Sequence, residues 1–510
     1  MRKAPVSARL LDAIEHIGNR LPHPATLFVI FAVLVVIASA IAAQLGISVT
    51  HPKDGSLILP VNLLEREQLR RMFTDAPRNF TGFAPLGTVL VTMLGIGVAE
   101  GSGLVSAALR ALVTRVPRSL LTATVVFAGI AAHTAADAGI IVLPPLAALV
   151  FIAFGRHPLA GVAAAFAGVA GGFSASLLPV PLDVLLAGLT QEAVDASRML
   201  PGYRVQLLGN YWFMAAATPL LAVVGTWITS RIVEPRLGVW SGETHGAPVT
   251  TPTADAAERR GLRAAGVAAL ATFATIAMLA AAPWSPLRIE GATTLDRMKP
   301  FFDSIVTLVM LVTLIPGLAF GIAAGRIRSD HDVARMMSDS MGQMATYIVL
   351  AFTAAQFVNW FAWSNLGAII AISGAEQLRS WGLTRAPLLT SFVMFSAVLD
   401  VFIASASAKW AILAPVFVPM FTLLGFTPEA TQVVYRIGDS VTNVVTPLMP
   451  YMPFVLATVQ RYSPRAGTGT VIAMMLPYAL AFLVFWTALL LLFYGMHWPI
   501  GPGVGMRLAG

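Results

Sequence analysis

The chain contains no cysteine, so neither a disulfide framework nor a thiolate metal site can form. Charge is scarce too. Only 11% of the 510 residues are Asp, Glu, Lys or Arg, against roughly 25% in soluble domains. With 57% hydrophobic residues and a mean hydropathy of +0.77, the chain reads as a polytopic, all-α membrane protein. The net charge of +8 comes from basic residues scattered through short loops, not from one basic face. This fits a positive-inside bias and gives no reason to expect a nucleic-acid partner. The solvent partner is the lipid bilayer.

Apolar spans and loop charges together predict about nine transmembrane helices and two re-entrant hairpins. The basic N-terminus is followed by an apolar span, residues 26–43, without a small-residue cleavage site, so it is expected to be a retained first helix. A polar outer loop, 46–80, leads to a helix over 84–107. Two short arms, 119–132 and 138–153, flank the tip A-H-T-A-A-D, and a helix broken at L-L-P-V-P-L-D follows. A span over 211–232 completes a first half, 1–237, and residues 238–263 form an inner linker. The second half, 264–510, has spans over 264–282, 301–322 and 341–360. Arms over 387–404 and 410–424 then flank the tip S-A-S-A-K, before a broken helix, 431–458, and a last helix, 470–494. The N-terminus is expected inside and the C-terminus outside.

Each half thus carries a hairpin with a small polar tip and then a helix interrupted near Ser and Pro. The first hairpin enters from the inside and the second from the outside. Inverted repeats with discontinuous helices meeting at mid-membrane are the pattern of secondary transporters. Irregular backbone at that depth must line a cavity or be buried in protein.

Ionisable groups at membrane depth are costly and mark functional sites. Asp400, Lys409, Arg436 and Asp439 are such groups. Arg436, Asp439 and Asn443 share one helical face, with Gly438, Pro447 and Pro450 expected to break the helix. Arg436 and Asp439, at i and i+3, can pair structurally or serve a substrate or ion, and a guanidinium suits a carboxylate bidentately. Asp183 beside Pro179 and Pro181 is either a wet helix end or a carrier of a proton or cation. Thr134, Ser174, Ser176, Ser405, Ser407 and Asn443 are either interhelical hydrogen bonders or ligands of substrate or a hard cation such as Na+. Trp410 is an interfacial anchor or an aromatic face for a ring. Lys409 receives no role. His133 has no second His or Cys at metal spacing, so no metal centre is expected. An intramembrane aspartyl protease using Asp183 and Asp439 is the rival enzymatic reading. Arg436 beside Asp439 opposes the shared proton such a dyad needs, and no cofactor is implied.

Longer segments carry a resemblance. I-E-H-I-G-N-R-L-P-H-P-A-T-L-F (14–28), N-F-T-G-F-A-P-L-G-T-V-L (79–90) and G-R-H-P-L-A-G-V-A-A-A-F-A-G-V-A-G-G-F-S-A (155–175) are similar to the p-aminobenzoyl-glutamate transporter (AbgT) family. So are S-A-S-A-K-W (405–410) and Y-R-I-G-D-S-V-T-N-V-V-T-P (435–447). The resemblance implies a homodimer in the bacterial inner membrane. An inner transport core, about 79–190 and 341–460, would sit within an outer dimerisation scaffold. It also implies proton- or sodium-driven movement of p-aminobenzoyl-glutamate or export of sulfonamide antimetabolites. A dicarboxylate-like organic anion is the alternative cargo on the same fold. Positions matching the family's site are Asp183, Ser407, Trp410, Pro428, Arg436, Asp439 and Pro447. The first tip departs from the family's Ser-Asn-Thr with Ala132, His133 and Thr134, and Lys409 replaces a glutamine of some relatives.

Overall fold

A computed structural model describes residues 22, 24–50, 55–114, 117–132, 138–240, 256–291, 297–403, 405–449 and 451–508. Among these residues it is a bundle of helices with one two-stranded β-ribbon, Val49–Thr50 paired with Leu57–Ile58. The first-half helices are α1 (Pro24–Gln44), α2 (Arg66–Thr81), α3 (Ala84–Gly101), α4 (Leu104–Thr114), α5 (Leu121–Ala131), α6 (Ala138–Ala153), α7 (Pro158–Phe166), α8 (Pro181–Ser197) and α9 (Tyr211–Ile228). After α10 (Ala256–Ala281) the second half has α11 (Ile305–Ala323), α12 (Asp330–Gln343), α13 (Ala345–Trp363), α14 (Leu366–Ser380), α15 (Arg385–Phe402), α16 (Ala406–Leu423), α17 (Pro428–Val441), α18 (Met452–Gln460) and α19 (Thr468–Met496).

The repeat runs deeper than the sequence suggests, because each half follows one order of elements. A long apolar helix (α1, α11) leads to a polar one (α2, α12), a span (α3, α13) and a shorter helix (α4, α14). Then come two hairpin arms (α5–α6, α15–α16), a broken helix (α7/α8, α17/α18) and a closing span (α9, α19). The turn after each span uses a left-handed residue, Gly103 at φ +83° and Asn365 at φ +60°. Glycine and asparagine are the residues that reach this region at least cost.

The halves interlock. Helices α1 and α2 pack on α13 of the other half, and α11 and α12 pack on α3. Helix α8 packs on α3 and α16, while α17 packs on α15, α16 and α19. Close approach is bought by small residues at matching places. A Cβ on Gly168 would lie 2.3 Å from the Val126 carbonyl of the first hairpin, and one on Gly438 would lie 2.4 Å from the Val393 carbonyl of the second.

Several boundaries differ from the sequence expectation. The loop over 46–80 contains the polar helix α2, of which only Met72 is buried. The span over 84–107 ends at Gly101, and a separate α4 follows, bent 114° from the helix that leads into the first hairpin arm. Polar or mixed composition hid α2, α12 and α14 from a search for apolar spans. Helix α10 begins at Ala256, within the stretch 238–263, and residues 241–255 lie outside the described set. Gly438 does not break its helix: α17 continues to Val441, and the glycine serves packing instead. Helices α3 and α13, assigned to the transport core, also pack along α11 and α1. Among the described residues nine helices are long and apolar enough to cross a membrane. They include both arms of the second hairpin and exclude the two broken helices, so this set is not the nine spans read from sequence.

Candidate functional site: two ion-paired clusters where the broken helices cross

The first broken helix ends its α7 portion in a π turn, Ala167–Gly171, and resumes at Val180–Pro181. Proline at the first helical position fixes the start of α8, where its missing N–H costs nothing. Asp183, in the first turn, accepts the Val180 N–H on Oδ2 at 2.8 Å. Its Oδ1 faces Arg436 Nη1 at 2.6 Å. Arg436 Nη2 donates to the Ser174 carbonyl in the break at 3.1 Å, and Nε has no partner. The Arg436 side chain is 1% exposed and Asp183 14%. Ser174 N–H in turn donates to Ser440 Oγ at 3.1 Å. The break in one half is therefore stitched to the helix of the other.

Further along α8, Thr190 Oγ1 lies 2.9 Å from Gln432 Oε1, while Asp183 meets Arg436. Residue numbers rise on α8 as they fall on α17, so the two segments run antiparallel. Thr190 Oγ1 also accepts the Trp410 indole N–H at 2.9 Å. Trp410 is fully buried and stacks on Tyr435, ring centroids 4.6 Å apart and planes 26° apart.

A second cluster lies one turn along α17. Lys409 Nζ contacts Asp400 Oδ1 and lies 2.7 Å from Asp439 Oδ1, and none of the three side chains is more than 1% exposed. Asp400 Oδ2 accepts from Thr442 Oγ1 at 2.8 Å, and Tyr435 O–H lies 2.9 Å from Asp439 Oδ1. Asp439 Oδ2 is buried without a partner. The helix ladder places these groups: Tyr435 and Asp439 are four apart on one face, and Asp439 and Thr442 three apart.

A small crevice of about 10 Å³ borders Asp183, together with Ser176, Asn210 and Tyr211. That is room for about one water. The site is closed in this conformation. A larger apolar cavity of about 570 Å³ lies between α3, α4, α10 and α11 and touches Pro179 and Pro181 of the break. Among the described residues no charged side chain lines it.

The family model for AbgT transporters matches residues 9–508. This chain belongs to the AbgT family. It is 41% identical over 503 residues to the p-aminobenzoyl-glutamate transport protein of Escherichia coli K12, covering 99% of this chain and 98% of that protein. The YdaH transporter of Alcanivorax borkumensis, described as having an unusual topology, matches with a TM-score of 0.89 at 44% identity, over 94% of this chain and 100% of that one. MtrF of Neisseria gonorrhoeae, described within a class of antimetabolite efflux pumps, matches at 0.90 and 44% identity, over 97% and 100%. The protein is a multi-pass membrane transporter and not an enzyme.

Within this AbgT transporter, the structure brings together Asp183, Ser174, Trp410, Arg436 and Asp439. Asn443 and Pro447 lie just beyond, in the break after α17. Arg436 and Asp439 do not pair with one another, the structural alternative of the two readings: Arg436 reaches across to Asp183, and Asp439 turns to Lys409. An intrahelical pair would satisfy each charge locally, but a closer cross-helix partner wins in both cases. Ser405 caps α16 through its Oγ and the Ala408 N–H at 3.3 Å, with Ser407 Oγ 3.4 Å away. Ser176 Oγ donates to the Leu178 carbonyl. Pro428 starts α17 beside Glu429, eleven residues or ~16 Å from Asp439. It belongs to a separate clamp, in which Glu429 accepts from Tyr203 O–H at 2.8 Å and Gln206 N–H at 2.9 Å. Thr134 and His133 lie outside the described residues. Thr190, Gln432, Tyr435 and Thr442 escaped the sequence reading. A polar side chain inside an apolar run was their only signal, and many residues share it. Asp400 and Lys409 were visible as charges at depth, and the need of a buried ammonium for a carboxylate could have linked them.

Proposed function

We propose that the chain is an ion-coupled secondary transporter that moves p-aminobenzoyl-glutamate, or exports sulfonamide antimetabolites, by alternating access. The observation that carries this is Arg436, a buried guanidinium held at the crossing of the two broken helices by one carboxylate, Asp183, and one carbonyl. A substrate carboxylate can take the place of Asp183 on the same fork. Trp410 of the second hairpin stacks on Tyr435 of α17, and parting the two would present an aromatic face to a benzoyl or sulfanilyl ring. The names of the relatives support this cargo class.

The driving gradient is of protons or sodium, across the bacterial inner membrane, with the N-terminus cytoplasmic and the C-terminus periplasmic. The working form is a homodimer. Its scaffold includes α10, an apolar helix of which only 11% is buried within one chain.

The test is flux of labelled p-aminobenzoyl-glutamate in proteoliposomes of the purified protein, with proton and sodium gradients imposed separately. Gradient-dependent flux that disappears in Arg436→Ala supports the reading. Flux in Arg436→Ala equal to wild type at equal incorporation refutes the role of Arg436. No wild-type flux of this compound or of a sulfonamide, with flux of a simple dicarboxylate, moves the cargo to another organic anion.

A further inference from the structure

We propose that the carboxyl pair Asp400 and Asp439, bridged by Lys409, carries the coupling proton, and that the lysine ammonium stands where a coupling metal ion would otherwise sit. This rests on the ion-coupled transport reading and names the ion and its carrier.

The three groups come from three elements of the second hairpin and broken helix: Asp400 from α15, Lys409 from α16 and Asp439 from α17. Two carboxylates face one ammonium. The neighbouring Arg436–Asp183 pair balances itself, so the cluster is left with one negative charge when both carboxyls are ionised. An uncompensated charge in a closed, low-dielectric site is unfavourable, and the closed state demands one more positive charge. Among the described residues, the other elements packed against α17 do not supply it. Helix α19 contains no Asp, Glu, Lys, Arg or His, the π turn Ala167–Gly171 has no charge, and α8 contributes Asp183, already engaged. Tyr435 and Thr442, which bond Asp439 and Asp400, are neutral.

A hard metal ion needs several oxygens converging on open space. Here Lys409 Nζ occupies the point between Asp400 Oδ1 and Asp439 Oδ1, and Thr442 takes Asp400 Oδ2. Asp439 Oδ2 is left without a partner. A proton can bind there without displacing any contact and without a cavity. The cycle then balances simply. An O–H bond forms on Asp439 with a proton from water on one side, the neutral cluster is buried and reoriented, and the bond breaks to water on the other side. Lys409 keeps its own proton throughout.

The experiment uses the full chain in two formats. In proteoliposomes, accumulation of labelled p-aminobenzoyl-glutamate is driven by a pH gradient with all sodium replaced by choline, and counterflow of the same compound is measured without a gradient. In detergent, the unfolding midpoint is followed in sodium chloride against choline chloride. Wild type is expected to accumulate in choline as well as in sodium and to show no sodium-specific shift. Asp400→Asn and Asp439→Asn are each expected to lose accumulation at least tenfold more than counterflow. Lys409→Gln vacates the central point and is expected to gain a saturable, sodium-specific rise in midpoint. A sodium requirement or sodium-specific stabilisation in wild type overturns the proposal. So does equal loss of accumulation and counterflow in both Asp variants, or a folded Lys409→Gln blind to sodium. If wild type shows no counterflow, the cargo reading fails, while the midpoint series still decides the place of the lysine.

Discussion

Removing Asp183 tests the crossing of the broken helices directly. Asp183→Asn keeps the side-chain shape and a carbonyl oxygen that can still accept the Val180 N–H. It deletes the charge facing Arg436, whose side chain is 1% exposed. The guanidinium is left with one carbonyl, Ser174 O at 3.1 Å, and an Nε that already has no partner. Breaking a buried pair from one side costs ~3–5 kcal/mol, because the surviving charge is stranded. Replacing both partners with neutral groups removes that stranded charge, so Asp183→Asn/Arg436→Gln should be more stable than either the Asp183→Asn chain or the sum of the two single effects implies. The assay is a double-mutant cycle from reversible unfolding in mixed detergent micelles. A coupling energy of about 2 kcal/mol or more is expected for residues in direct contact. Additivity of the two substitutions within about 0.5 kcal/mol would refute the argument, since independent sites add to that accuracy.

Three further outcomes follow from the geometry. Gly438→Ala sets a methyl 2.4 Å from the Val393 carbonyl and should lower stability by ~1–3 kcal/mol, whereas Gly266→Ala, with nothing within 4 Å, should not; equal midpoints for the two would contradict the packing. Thr190→Val strands the Trp410 indole N–H and faces Gln432 with a methyl, a loss of ~1–3 kcal/mol that Trp410→Phe in the same background should partly relieve. Asp332, in the first turn of α12, is held below its usual carboxyl range by the Arg328 backbone N–H, then by Ser329 and Arg335. Its depressed folded value contributes stability present above the unfolded value of about 4 and lost as pH falls through the folded one. Asp332→Asn should therefore speed hydrogen exchange at the start of α12 at pH 7, and the difference from wild type should shrink below pH 4; a constant difference would count against the cap.

The repeat of a hairpin and a broken helix is legible because lipid forces irregular backbone to announce itself with Gly, Pro and Ser in an otherwise apolar chain. The same force makes Asp183, Lys409, Arg436 and Asp439 stand out. Partnership is a different matter. The sequence offers Arg436 a neighbour three residues away, while its actual partner lies in the other half, before α9, the linker and the second half up to α17. Only the packing of α8 on α16 and α17 decides between them. Polar helices such as α12 were missed for the opposite reason: nothing in an apolar-span search rewards a helix held by a Ser329–Asp332 cap and lying on α3.

The crossing also sets a timetable for biogenesis. Arg436 donates to a carbonyl 262 residues earlier in the chain, and Trp410 to a hydroxyl 220 residues earlier. At 5–20 residues per second, a ribosome takes roughly ten to fifty seconds to supply those partners after the first half has entered the bilayer. Asp183 must wait through that interval with its charge unanswered. Lys409 and Asp400, nine residues apart, neutralise one another almost as they emerge. The nascent first half is thus an obligate client of whatever shelters a polar helix break in lipid, and a chain stalled before α17 should be a preferred substrate for membrane quality control.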